Sequence, residues 1–169
     1  SATDISAEQG TLFSESSGFG TQFDEDWYLV SLPSNPTDAD GAPVGLAEIL
    51  NVELIYTHAG GDINFEVRDS AGVSVLASSN LSTGTESVSV NVADGNNYYI
   101  VVTGDNTGNS YDLVWSLIRD DNYEENNTQA DAYDLSSEEG VDLSSISGLG
   151  VQFDEDWYEI VTPPGSVGV

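Results

Sequence analysis

Phe23-Asp24-Glu25-Asp26-Trp27-Tyr28 occurs twice in this chain, the second time as Phe153-Asp154-Glu155-Asp156-Trp157-Tyr158. The flanks repeat as well. Gly20-Thr21-Gln22 aligns with Gly150-Val151-Gln152, Leu29-Val30 with Glu159-Ile160, Asp4-Ile5 with Asp134-Leu135, and Gly10 with Gly140. A repeat of this length marks a duplicated structural unit. The chain divides into a whole unit over residues 1–119 and a linker with the opening part of a second unit over residues 120–169. That second part carries too few apolar positions to bury a core by itself. It has to pack on the first unit, pair with a neighbour, continue in a longer protein, or be split by an inserted domain.

Composition narrows the partners. The chain has 30 acidic residues against two basic ones, Arg68 and Arg119, for a formal net charge of −28. Such a surface repels polyanions, so nucleic acid and anionic membrane surfaces are excluded as partners. It also repels itself, which cations or salt relieve. The balance suits a saline or calcium-rich exterior. High charge can signal disorder, but 38% of residues are hydrophobic and they alternate in runs, which is the pattern of a folded β protein with an acidic skin. Cysteine is absent, so metal ions rather than disulfides are the candidate cross-braces. No apolar run is long enough to insert into a membrane. No signal peptide is recognisable at Ser1, which reads as the start of a fragment.

Taken in order, Thr11-Leu12-Phe13 reads as a short strand and Trp27 to Leu32 as the first clear one. Pro33 ends it, and a loop holding Asp38-Ala39-Asp40-Gly41 follows. Leu50, Val52, Leu54 and Tyr56 alternate within a strand over Ala47 to Thr57; Ile63, Phe65 and Val67 define the next. Further strands are expected over Val73–Ala77, Val88–Val92, Tyr98–Thr103 and Tyr111–Leu117, separated by Asp/Gly/Asn turns and a polar loop over Asn80–Thr85. Short strands at hairpin spacing with no helical period predict an all-β, antiparallel β-sandwich, with a jelly roll as its architectural rival.

The motif order resembles the bacterial pre-peptidase C-terminal domain family. The resemblance rests on Asp121-Asn122-Tyr123-Glu124-Glu125-Asn126-Asn127-Thr128, then Ala130, Ala132 and Gly150 to Tyr158. In the first unit it continues with Asp69 to Gly72, Tyr98-Tyr99-Ile100-Val101-Val102 and Tyr111-Asp112-Leu113. Glu125 stands where the family usually has proline, and the first unit's acidic opening falls upstream of Ser1. The resemblance implies a non-catalytic β-sandwich appended to exported hydrolases or found in large surface proteins such as calcium-dependent adhesins. The related collagen-binding domains of clostridial collagenases bind calcium near their N-terminal linker. The expected setting is therefore secreted or on the bacterial cell surface, with neighbouring domains of a parent protein as partners.

Calcium takes six to eight oxygens from carboxylates, amides and carbonyls. Asp121, Glu124, Asn126 and Asn127 offer such oxygens within one short segment, and Asp154 and Asp156 lie ready to close the site. The resemblance implies the same role for Glu124 and Asn126. In the first copy, alternation puts Asp24 and Asp26 on one side of a strand, where like charges repel unless a cation lies between them. The competing reading is solvated acids at a strand start. The candidate metal ligands are thus Asp24, Asp26, Asp121, Glu124, Asn126, Asp154 and Asp156, with Ca2+ as the cofactor. Asp38-Ala39-Asp40-Gly41 lacks the distal glutamate of an EF-hand and reads as an acidic turn.

Trp27 and Trp157 are expected to be core residues. Tyr98, Tyr99 and Tyr111 are the candidate ligand contacts, because alternation sends Tyr98 and Tyr99 to opposite faces. An exposed cluster there would suit a collagen-like protein or a glycan, the alternative to a spacer or accessory role. Nothing supports an enzyme. His58 precedes a Gly-Gly turn, there is no Gly-x-Ser-x-Gly elbow, and one histidine without cysteine makes a poor zinc site. Adjacent acids on one strand also lack the cleft of a glycosidase pair.

Overall fold

The computed structural model describes residues 1–34, 48–82 and 84–162. The Asp38–Gly41 turn lies outside them. Within the described residues the chain forms two units, the first comprising 1–34 and 48–118 and the second beginning at Arg119.

The first unit is an all-β sandwich. Its strands are β1 (Thr3–Asp4), β2 (Gly20–Gln22), β3 (Asp26–Ser31), β4 (Glu48–Tyr56), β5 (Ile63–Arg68), β6 (Val75–Ser79), β7 (Thr85–Val92), β8 (Asn97–Gly104) and β9 (Asn109–Arg119). One sheet runs β1-β3-β8-β5-β6 and the other β2-β9-β4-β7. All the strand pairings described in this unit are antiparallel but one. The edge strand β1 lies parallel to β3, with Thr3 opposite Tyr28.

Alternation decides what faces inward. Leu50, Val52, Leu54 and Tyr56 of β4 meet Ile63, Phe65 and Val67 of β5, Ile100 and Val102 of β8, and Leu113 and Trp115 of β9 in one core. Complete burial of each such side chain contributes roughly 1.5–3 kcal/mol of transfer free energy. The central strand β8 is paired on both edges, with Ile100 opposite both Tyr28 and Val67.

Four expectations are corrected. Thr11-Leu12-Phe13 is not a strand. Leu12 is extended and precedes a single helical turn, α1 (Phe13–Ser16). That turn is held by Asp112, whose carboxylate accepts bonds from the Ser14 N–H (3.1 Å) and Oγ (2.5 Å), while Phe13 enters the core. Trp27 is not a core residue. Val30 points inward from β3, so the pleat turns Trp27 outward, where it meets Tyr99 edge-to-face at 5.8 Å and lies 5.1 Å beneath the Arg68 guanidinium. Trp157 is exposed, and the core tryptophan of the first unit is Trp115, whose Nε1 donates to the Ile5 carbonyl at 3.0 Å. Tyr98 and Tyr111 are buried, so they present no ring to a ligand; only Tyr99 of the three faces outward and is half-buried.

The reason Tyr111 is buried is a chain of hydroxyls. Its Oη donates to Asp26 Oδ2 at 2.8 Å and lies 2.5 Å from the Tyr28 hydroxyl. Its ring covers Gly20, where a Cβ would fall 2.2 Å from the ring carbon Cζ.

Glu86 of β7 is buried although it is a carboxylate. Burial, with the nearby charge of Asp62 adding to it, raises its pKa above the usual range. A raised carboxyl pKa favours the folded state while the group is protonated. That contribution is complete below the unfolded-state value near 4.5 and is lost as pH rises through the folded-state value. Glu86→Gln should therefore melt close to the parent at pH 4 and above it at pH 8, a gap that widening calorimetric scans across this range would reveal. An equal shift at both pH values would contradict the assignment.

Candidate cation site

The second unit repeats the opening of the first in detail. Its strands β10 (Tyr133–Asp134) and β11 (Tyr158–Glu159) pair in parallel with Tyr133 opposite Tyr158, which is the β1/β3 register moved to the second copy. Asp134 Oδ1 accepts from the Ser136 N–H as Asp4 Oδ1 does from Ser6. Ser136 Oγ accepts from the Val161 N–H at 2.7 Å, as Ser6 Oγ does from Ser31 at 2.8 Å. The single turn α2 (Leu143–Ile146) stands where α1 stands in the first copy.

The linker supplies this unit with a centre. Tyr123 is buried, its ring edge-to-face with Tyr133 at 4.8 Å and with Tyr158 at 5.9 Å. Its hydroxyl contacts the Leu143 and Gly148 carbonyls and accepts from the Ser147 N–H. The Asn126 carbonyl accepts from the Trp157 N–H at 2.8 Å, which fastens the linker to the strand carrying the repeated motif.

Around this fastening, acids converge. Carboxylate oxygens of Asp120, Glu124 and Asp154 lie within 4.8 Å of one another, the single such group of three among the described residues. Asn126 is wholly buried, yet its Oδ1 has no hydrogen-bond donor. Glu124 Oε1 and Asp156 Oδ1 are likewise buried and unpartnered, while Glu124 Oε2 accepts from the Asn126 N–H at 3.1 Å. Buried oxygens without donors are costly, and each such group in a native fold calls for an explanation. Burial first, and then the charges of Asp120, Asp154 and Asp121, push the Glu124 carboxyl up to about 7. Asp120 and Asp156 are raised for the same reasons, burial leading in both. A cluster that resists ionisation by itself, and presents oxygens only, has the donor chemistry of a hard divalent cation site.

The predicted ligands fare differently. Glu124, Asn126, Asp154 and Asp156 belong to this neighbourhood. Asp121 adds charge to it, and each of its oxygens accepts one main-chain bond, Oδ1 from the Tyr123 N–H (2.8 Å) and Oδ2 from the Val151 N–H (2.7 Å). Asp24 is exposed, and Asp26 is held by Tyr111; neither joins a group of three. Burial raises the Asp26 pKa, Tyr111's hydrogen bond opposes this, and Asp24 adds to it. Asp120 is the residue that sequence reasoning passed over. It is adjacent to Asp121, and consecutive residues of an extended segment point to opposite sides, so only one of the two could be expected to face the acids.

Solved structures with a similar fold include the pre-peptidase C-terminal domain of a collagenase from Bacillus anthracis. It matches with a TM-score of 0.50 at 16% identity, covering 69% of this chain and 95% of that one. Partial similarity extends to a mitogen of Yersinia pseudotuberculosis (TM-score 0.33, 12% identity, 60% and 92% covered). It also extends to a carbohydrate-binding module of a marine laminarinase from Zobellia galactanivorans (TM-score 0.31, 19% identity, 55% and 69% covered). At these identities the likeness is one of fold. No family model matches the chain, and no curated protein matches it. No helix among the described residues is long and apolar enough to cross a membrane.

Proposed function

We propose that the chain is a non-catalytic β-sandwich module of an exported bacterial protein, braced by calcium at the head of its second unit. It serves as a spacer or accessory domain of a surface adhesin or secreted hydrolase. The observation that carries the reading is the convergence of Asp120, Glu124 and Asp154 beside unpartnered oxygens of Asn126, Glu124 and Asp156. Oxygen donors alone, with no histidine or cysteine among them, favour calcium or magnesium over zinc. The count of carboxylate and amide oxygens favours the larger ion, since magnesium holds on to its waters. The charge of −28 adds a reason for a cation.

Titration calorimetry should find calcium binding at pH 8 that Glu124→Gln or Asp154→Asn weakens by at least about tenfold, as for loss of a charged ligand. Chelator should speed amide exchange at Tyr123 and Trp157. Identical exchange with calcium and with chelator would refute the brace. Binding must also displace the proton that Glu124 holds with its pKa of about 7. Affinity should then fall about tenfold between pH 8 and pH 6, the factor for one competing proton, and Glu124→Gln should flatten that profile.

A second reading, recognition of a glycan or collagen-like protein, has one observation in its favour. Trp27 and Tyr99 flank an open cleft of about 400 Å3 with Ser1, Ala2, Ala71 and Gly72. Retention of the chain on a glycan or triple-helical peptide array, lost in Trp27→Ala, would establish it. An array on which parent and variant behave alike would remove it.

A further inference from the structure

Among the described residues, the edges of the two sheets of the first unit are β1, β6, β2 and β7. An edge strand presents a row of unpaired main-chain donors and acceptors that another strand can join, and folds commonly guard such edges with short length, charge or proline. β1 has two residues and carries Asp4, β2 has three, and β7 turns the Glu86 carboxylate inward. β6 carries neither charge nor proline.

The surroundings of β6 are as neutral as the strand itself. Ser70 to Thr85 is the longest stretch of the chain without a charged side chain. Its large apolar side chains, Val73, Val75, Leu76 and Leu81, are all exposed, Val73 to 75%. The pairing with β5 explains part of this. Ala77 lies opposite Val67 but Val75 opposite Arg68, so Leu76 is an extra residue, a β-bulge. At the bulge Val75 and Leu76 are both exposed, although consecutive strand residues ordinarily take opposite faces. The nearest charges are already engaged. Arg68 holds Glu66 at 2.7 Å, and Asp69 Oδ1 accepts from the N–H groups of Val73 (2.9 Å) and Ser74 (3.2 Å).

Charge selects the occupant of this edge. A cationic partner is drawn to the acidic remainder of the surface, whereas a like-charged partner needs a surface without charge. A second copy, with its own formal charge of −28, is such a partner. We infer that β6 is a homotypic interface, at which two copies of this chain pair edge to edge and antiparallel about a two-fold axis near Leu76. Antiparallel pairing makes one strand its own complement, and the contact closes after two copies because it uses up the free edge. Leu76 meets Leu76 across the axis, with Val75 beside it on each side. The interface is small, so the dimer is a transient one. The remaining charge of each copy opposes it, so added salt strengthens the dimer instead of weakening it.

Sedimentation equilibrium in the presence of chelator tests this without calcium. The inference expects a monomer–dimer equilibrium whose association constant rises at least about tenfold from about 0.1 M to about 1 M salt, as the screening length falls from about 10 Å to about 3 Å. Leu76→Asp should abolish the dimer. Phe19→Asp adds the same charge at another exposed apolar position and should leave the dimer intact. The chain has no cysteine, so Leu76→Cys gives a second probe. Mild oxidation should join its copies at least about tenfold faster than those of Ser110→Cys at another exposed site, because a disulfide needs close Cα atoms. A chain that stays monomeric in molar salt overturns the inference. So does equal loss of association in Leu76→Asp and Phe19→Asp, which would mean unspecific apolar contact. Association that appears only with calcium overturns it as well, because acidic faces bridged by the ion would then be the contact.

Discussion

A strand with one apolar face has to bury that face, and a strand edge has to find hydrogen bonds. Both requirements act on the same short segment twice in this chain. In the first unit Asp26–Ser31 meets them between β1 and β8, with its inner face on the core. Nearly everything else in that unit follows. The Tyr28–Tyr111–Asp26 hydroxyl chain ties one sheet to the other, and Gly20 is small because the Tyr111 ring rests on it. In the second unit the same segment is paired on one side only, and its stability rests on the linker around Tyr123 instead.

The linker therefore has two tasks. Its aromatic ring packs between Tyr133 and Tyr158, and its acids gather against the repeated motif. The gathering is unfavourable for bare carboxylates, because burial and the charges of Asp120, Asp154 and Asp121 push the Glu124 carboxyl up to about 7. Folding brings these groups together through neutral contacts, namely the Asn126–Trp157 backbone bond and the Asp121 bonds to main-chain N–H groups. The electrostatic strain is thus imposed by the backbone path, which is how binding sites for cations are commonly built.

The strands were legible because period-two alternation is strong over Leu50–Tyr56, Ile63–Val67 and Tyr111–Leu117, and the expected sandwich is what forms. Alternation alone does not say which face is inner when both carry apolar residues. Trp27 and Tyr28 illustrate this: size alone favours the larger ring for the core, but the pleat sends Tyr28 inward with Val30. The two-residue strand β1 and its parallel pairing were not legible, since Thr3–Asp4 has no apolar pattern and is fixed by its hydrogen bonds to β3. The acidic neighbourhood of Glu124 and Asp154 could be read from residue types and the repeat. That Asp120 belongs in it and Asp26 is otherwise engaged depends on side-chain directions that only the folded chain sets.

The two arginines have a consequence for durability. A protease that cleaves after basic side chains finds only two peptide bonds to attack in the whole chain, since lysine is absent. One follows Arg68, at the end of a strand flanked by β8 and β6 and clasped by Glu66. The other follows Arg119, at the junction of the two units, where the next residues are Asp120 and Asp121. Both bonds lie at strand ends, the second followed by two buried carboxylates, so trypsin-like enzymes find almost no purchase on the folded chain.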